Sequence, residues 1–241
     1  MKIRYAKDYA DMSRKAANII SAQVILKPCS VLGLATGSTP IGAYQQLIDW
    51  YRKDDVDFSE VITYNLDEYR GLSHDDPQSY HYFMRKNFFD VVDIDLANTH
   101  VPDGAAADAE QACIDYDRMV ADAGYPDIQL LGIGRNGHIG FNEPDDHFAR
   151  GTHVVDLTES TIEANSRLFD SIDEVPRQAM SMGIQTIMLA RRILVLASGA
   201  EKAQAVHDMV YGLITPQVPA SILQLHPNCT VIADEAALSL C

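Results

Sequence analysis

A few short stretches of this chain carry side chains suited to moving protons or holding an anion. Asp67-Glu68-Tyr69 follows the apolar run Val61–Leu66, VITYNL. A carboxylate at the carboxyl end of a buried strand sits at the mouth of an α/β site, where partial burial lifts its pKa toward that of a useful general base. Neighbours on extended backbone point to opposite sides, so only one of Asp67 and Glu68 is expected to reach a ligand. A turn cap before Gly71 would use Asp67 equally well.

Gly132-Ile133-Gly134-Arg135-Asn136-Gly137-His138-Ile139-Gly140-Phe141-Asn142-Glu143-Pro144 follows another apolar run. On this glycine-rich backbone it presents Asn136, His138 and Glu143. Histidine takes and returns a proton near neutral pH, and a neighbouring carboxylate fixes its tautomer and steadies the imidazolium. A surface histidine in a turn has the same spacing. Gly132, Gly134 and Gly137 also match the dinucleotide fingerprint, with Asp156 near the position of a ribose-binding acid. That fingerprint must run straight into a long helix in the first βα unit. Here Gly140 and Asn142-Glu143-Pro144 break the chain within a few residues, in mid-sequence, so no dinucleotide site is expected.

The stretch Ala35-Thr36-Gly37-Ser38-Thr39-Pro40 suits a phosphate. Thr39 is a good N-cap and Pro40 a good first helical residue, so a helix is expected to begin there. Its free N–H groups, the helix dipole, the freedom of Gly37 and the hydroxyls of Thr36, Ser38 and Thr39 all favour an anion. A plain capped turn has the same letters, and the GK[ST] ending of a nucleotide P-loop is missing.

Two cations add to this picture. Lys202, in Ser198-Gly199-Ala200-Glu201-Lys202, falls in the first turn of a helix, where the dipole disfavours it unless an anion is close or Glu201 offsets the field. Arg167 lies in a helix expected to open on the capping box Ser160-Thr161-Ile162-Glu163. Glu163, four residues earlier, offers Arg167 an ordinary ion pair.

These residues need a frame. Ser30–Ala35, Val61–Leu66, Ile128–Gly132, Ile193–Ala197 and Thr230–Ala233 read as strands buried on both faces. Helical spacing, as in Ile41, Tyr44, Leu47, Ile48 and Tyr51, separates them. Such alternation predicts a mostly parallel central sheet with helices on both faces, and ligands beyond the carboxyl ends of the strands. No linker or repeat interrupts the 241 residues, so a single domain spanning 1–241 is expected.

Composition narrows the partners. An apolar fraction of 47% with 22% charged residues is that of a globular chain. A net charge of −15 argues against nucleic acid, which needs a basic face. No stretch approaches the ~20 apolar residues of a spanning helix, and the start carries no secretory pattern. Cys29, Cys113, Cys229 and Cys241 form no CxxC pair, which fits a reducing compartment and a cytoplasmic protein without a zinc knuckle.

Taken in order, LGLATGSTP, NLDEY, LGIGRNGHIGFNEP, ANSRLF, SGAEKA and ILQLHP resemble the glucosamine-6-phosphate deaminases over nearly the whole chain. The resemblance implies a Rossmann-like α/β domain and conversion of glucosamine 6-phosphate and water to fructose 6-phosphate and ammonia, with no metal and no organic cofactor. It implies that His138 with Glu143 and Asn136 opens the sugar ring, and that Asp67 moves a proton from C2 to C1. Thr36, Gly37, Ser38 and Thr39 with Arg167 and Lys202 then correspond to the phosphate position, which gives Arg167 a role beyond an ion pair. The segment 153–182 corresponds to a mobile helical lid.

Some members carry Asp where Asn136 stands. Asn orients an imidazole but does not neutralise it, which leaves that role to Glu143. The stretch 145–153 is poor in cations, so an enzyme without sugar-phosphate regulation, monomeric or in a small homo-oligomer, is expected. The rival readings are a 6-phosphogluconolactonase-like hydrolase and a non-catalytic sugar-phosphate-sensing module. The lactonases do not resemble NLDEY with GFNEP, and a repressor-type module would carry a basic DNA-binding region that this chain lacks.

Overall fold

The five apolar runs are all strands, because residues with little charge on either face are stable only between two layers of helices. A computed structural model describes residues 1–166 and 169–241. Its strands are β1 (Lys2–Ala6), β2 (Val31–Leu34), β3 (Ile62–Asn65), β4 (Asp67–Tyr69), β5 (Thr99–His100), β6 (Ile128–Leu131), β7 (His153–Asp156), β8 (Gln178–Ser181), β9 (Ile193–Ala197) and β10 (Cys229–Asp234). Its α-helices are α1 (Tyr9–Leu26), α2 (Ile41–Tyr51), α3 (Tyr80–Asn87), α4 (Ala109–Asp122), α5 (Glu159–Asn165), α6 (Ile184–Met188) and α7 (Ala203–Tyr211).

Seven strands form one sheet in the order β1-β10-β9-β6-β2-β3-β5, and every neighbouring pair is parallel. From β2 the chain steps outward to β3 and β5, then returns to the other side of β2 as β6. The strand order therefore reverses between β2 and β6, which opens a crevice beyond their carboxyl ends. The loops that leave these two strands are the phosphate-type stretch and the glycine-rich stretch. The main core, with Leu32, Leu34, Leu130, Leu194 and Ile232, lies along this sheet.

A second, antiparallel sheet, β4-β8-β7, stands apart from the first. It covers its own apolar cluster of Tyr69, Tyr80, Phe141, Leu157, Ile162, Val175 and Ala179. The segment read as a lid supplies β7, α5 and β8. Its two ends are joined at a neck, where the Ile184 N–H donates to Ala149 O at 2.8 Å and the Gln185 N–H to Arg150 O at 3.1 Å. Asp117 on α4 pins the neck by accepting the Thr152 N–H at 2.8 Å and the Thr186 hydroxyl at 3.1 Å. A Cβ at Gly183 would lie 2.2 Å from the carbonyl oxygens of both Arg150 and Gly151, so only glycine fits this crossing.

Two helix starts differ from the expectation. Thr39 does not cap α2, which begins at Ile41 with Pro40 in the cap position and no side-chain cap. Instead Tyr9, reaching across from α1, accepts the Gly42 N–H at 2.9 Å and donates to Ser38 O at 3.0 Å. A neighbouring helix thus meets the need that Thr39 was expected to meet. The capping box Ser160–Glu163 does not form either, because α5 starts at Glu159 after Thr158 and both residues lie inside the helix. Two strands of the large sheet escaped the apolar pattern, as did all three of the small one: β1 is an edge strand with mostly exposed side chains, and β5 has two residues. Among the described residues no helix is long and apolar enough to cross a membrane.

Candidate functional site

The loop after β2 is held from below. Tyr44 on α2 donates its hydroxyl to Ala35 O at 2.6 Å and accepts the Ala35 N–H at 3.3 Å, which fixes the backbone just before Thr36. Gly37 has φ +84°, a left-handed conformation that favours glycine, and a Cβ there would meet nothing within 4 Å. The turn therefore faces open space, as a docking loop for a small anion must. Tyr80, in the first turn of α3, is buried, and Thr36 is among the groups that act on its hydroxyl.

The loop after β6 folds back on itself and enters no helix, in keeping with the rejection of the dinucleotide fingerprint. Its Gly134 N–H donates to His138 O at 2.9 Å. A Cβ at Gly134 would fall 2.5 Å from the His138 ring, so glycine is what lets the imidazole lie across the backbone. Asn136, His138 and Glu143 come together as expected. Glu143 Oε2 accepts Asn136 Nδ2 at 2.7 Å and lies 3.3 Å from His138 Nδ1, while Asn136 Oδ1 accepts the His138 N–H at 3.2 Å. A carboxylate at Nδ1 favours the tautomer with its proton there, which leaves Nε2 to take a proton from a ligand. Burial works to raise the Glu143 pKa, but the hydrogen bond and charge of His138, with Thr161 and Asn136, outweigh it and hold the carboxyl below its ordinary value. Glu143 is thus a carboxylate at neutral pH.

Asp67 and Glu68 point apart, as neighbours on β4 must, and both are buried. Glu68 accepts three backbone N–H groups, from Tyr69 at 2.8 Å and from Tyr80 and His81 at 2.9 Å each. Burial still lifts it, to about 7. The Asp67 carboxyl has no hydrogen bond among the described residues and is pushed up to about 8, by burial first and then by the charge of Glu68. Of this pair Glu68 ionises first, because three N–H donors and the start of α3 stabilise its charge.

Asp67 faces the His138 loop. A Cβ at Gly140, where φ is +59°, would lie 3.5 Å from Asp67 Oδ2 and 3.0 Å from Ser181 Oγ. Ser181, the register partner of Asp67 on β8, also accepts the Phe141 N–H at 3.0 Å. Asn142 Nδ2 donates to Ile139 O at 2.8 Å and Met182 O at 2.9 Å, which fastens the loop to the same strand end. One small sheet therefore sets the distance between the lone carboxyl and the imidazole.

Lys202 closes the crevice from the third side, at the junction of β9 and α7, with Nζ donating to Ile133 O at 2.7 Å. Arg167 lies outside the described residues. Sequence reasoning missed Thr161, Ser181, Tyr80 and Tyr9 as parts of this site. Each comes from a distant segment and has no local motif. Among the described residues no group of three or more His, Cys, Asp and Glu side chains is placed to hold a metal ion. A buried carboxyl of raised pKa, an imidazole of fixed tautomer and an open anion loop suit proton transfer on a small phosphorylated molecule.

Comparison with known proteins agrees with this chemistry. The family described as glucosamine-6-phosphate isomerases/6-phosphogluconolactonase matches residues 7–232. A glucosamine-6-phosphate deaminase of Lachnoclostridium phytofermentans is 60% identical over 232 residues, covering 96% of this chain and 98% of that one. Another, of Halothermothrix orenii, is 56% identical over 240 residues and the full length of both. The solved structure of a monomeric glucosamine-6-phosphate deaminase superposes with a TM-score of 0.97 at 49% identity over all of both chains. A 6-phosphogluconolactonase from Thermotoga maritima, at 18% identity over 97% of this chain and 99% of that one with a TM-score of 0.75, shares the fold.

Proposed function

The chain belongs to the family of glucosamine-6-phosphate isomerases and 6-phosphogluconolactonases, and we propose that it is the deaminase that turns glucosamine 6-phosphate and water into fructose 6-phosphate and ammonia. The observation that carries this reading is the buried Asp67 carboxyl, without a hydrogen bond among the described residues and facing the loop of His138 across Gly140.

The sugar phosphate binds by its anion to Thr36, Gly37, Ser38 and Thr39, with Lys202 and Arg167 supplying charge. His138 Nε2 takes the C1 hydroxyl proton and returns it to the ring oxygen, which opens the pyranose. Glu143 stabilises the imidazolium that forms between these transfers, and Asn136 orients the pair. In the open aldehyde Asp67 removes the C2 proton. The substrate's ammonium group, once beside Asp67, favours its ionised form and so readies the base. The electron pair of the C2–H bond passes into an enolamine as the ammonium nitrogen gives one proton to the C1 oxygen, and Asp67 then returns its proton to C1. That leaves an imine at C2. Water adds there, the C–N bond breaks, and ammonia departs.

No cofactor enters this scheme. The chain acts as a single domain, monomeric or in a small homo-oligomer in the cytoplasm, with residues 153–182 as a lid over the crevice and without regulation by a second sugar phosphate. The likeness to lactonases extends to the fold alone.

Ammonia release from glucosamine 6-phosphate tests the proposal, with Asp67→Asn as control and deuterium from the solvent traced to C1 of fructose 6-phosphate. Turnover with label at C1 is expected. Thermal stabilisation by the sugar phosphate without any ammonia would instead identify a sensing module.

A further inference from the structure

We propose that Thr161 is a positioning residue for the ring-opening pair, through which the seating of α5 assembles His138 and Glu143. This rests on the deaminase reading above. The Thr161 hydroxyl donates to Glu143 Oε1 at 2.5 Å, and both side chains are buried. The other carboxylate oxygen, Oε2, is taken by Asn136 and His138. Glu143 is therefore gripped from two sides: by its own loop through one oxygen and by α5, in the segment 153–182, through the other.

The direction of the grip follows from the first turn of α5. Thr158 Oγ1 donates to Thr161 Oγ1 at 3.1 Å, and the Ser160 hydroxyl stands 3.1 Å from Thr158. A hydroxyl has one proton, so Thr161, already accepting from Thr158, gives its own to Glu143. Without α5 in place Oε1 loses this donor, and the carboxylate is free to rotate away from His138 Nδ1. With α5 in place the imidazole has one orientation. Ring opening thus waits on a helix that leads, two residues beyond its end, to Arg167 in the sequence.

The test compares Thr161→Val, which keeps the shape and removes the hydroxyl, with Thr161→Ser, which keeps the hydroxyl. Loss of a hydrogen bond to a charged group is expected to lower kcat roughly 10- to 100-fold in Thr161→Val. KM stays near that of the wild type, and Thr161→Ser recovers most of the rate. The effect of deuterium at C2 of the substrate on kcat should be no larger in Thr161→Val than in the wild type, because the slowed step precedes C2–H cleavage. Wild-type kcat in Thr161→Val, equal losses in both variants, or a larger C2 isotope effect would each overturn the proposal. If Thr161→Val fails to fold, Thr161→Ala replaces it and is judged against Thr161→Ser by the same readings. A wild-type protein that releases no ammonia would sink the deaminase reading instead, before any variant is made.

Discussion

Glu68 accepts the backbone N–H of Tyr80 at 2.9 Å through the same oxygen that takes the N–H of Tyr69, so one buried carboxylate ties β4 to the first turn of α3. Tyr80 in turn stacks on Phe141 with ring centroids 6.0 Å apart, which carries the tie into the loop of His138.

Glu68→Gln should therefore do two separable things. Exchange of one acceptor oxygen for an amide places a donor against backbone N–H groups, at a cost of about 1–3 kcal/mol seen in denaturant melts. Removal of the charge also takes away one of the causes that raise Asp67, so the acid limb of the kcat/KM profile should move to lower pH. An unmoved limb would show that Glu68 leaves Asp67 untouched.

Asp67→Asn trades function for stability. The folded-state pKa of Asp67 is raised to about 8, so the native state binds the proton more tightly than the unfolded chain. The stability this brings is complete below pH ~4, and it is lost as pH rises through about 8. Asn carries no charge to desolvate. The variant should lose about 100-fold or more in ammonia release and melt higher than the wild type at pH 8.5, with the gap closing at pH 4. Equal pH slopes for the two proteins would contradict the burial argument.

For Glu143 the sign is opposite. Its folded-state pKa is depressed, so its contribution is present above the ordinary glutamate pKa and is lost as pH falls through the depressed value. Glu143→Gln should flatten stability below pH ~4.5 and slow turnover of the cyclic substrate by about 100-fold. Wild-type turnover in this variant would refute the ring-opening role.

Gly183→Ala places a methyl group 2.2 Å from two carbonyl oxygens at the neck below the small sheet. Relief requires the strands at this crossing to part, at a cost of about 2 kcal/mol or more, which a thermal melt reads directly. An unchanged melting temperature would mean that the neck yields easily.

Five of the seven strands of the large sheet were legible in the sequence because each is largely buried and carries an apolar run. The cluster of Asn136, His138 and Glu143 was legible because it falls within eight residues of one loop. Asp67 was found from its position after a strand. What remained hidden was whatever depends on contact between distant segments. Thr161 stands eighteen residues from Glu143, and Ser181 is brought to Asp67 by an antiparallel pairing that no local pattern announces. The misplaced caps at Thr39 and Ser160 share a cause: letters suited to a helix start are common, and a remote hydroxyl or an earlier start can take their place.

The apolar cluster under the small sheet has no member in common with the one along the large sheet. The packing under each sheet can therefore drift without repacking the other. Changes among Leu157, Ile162 and Val175 are expected to loosen the small sheet, while the large sheet rests on a different set of buried side chains.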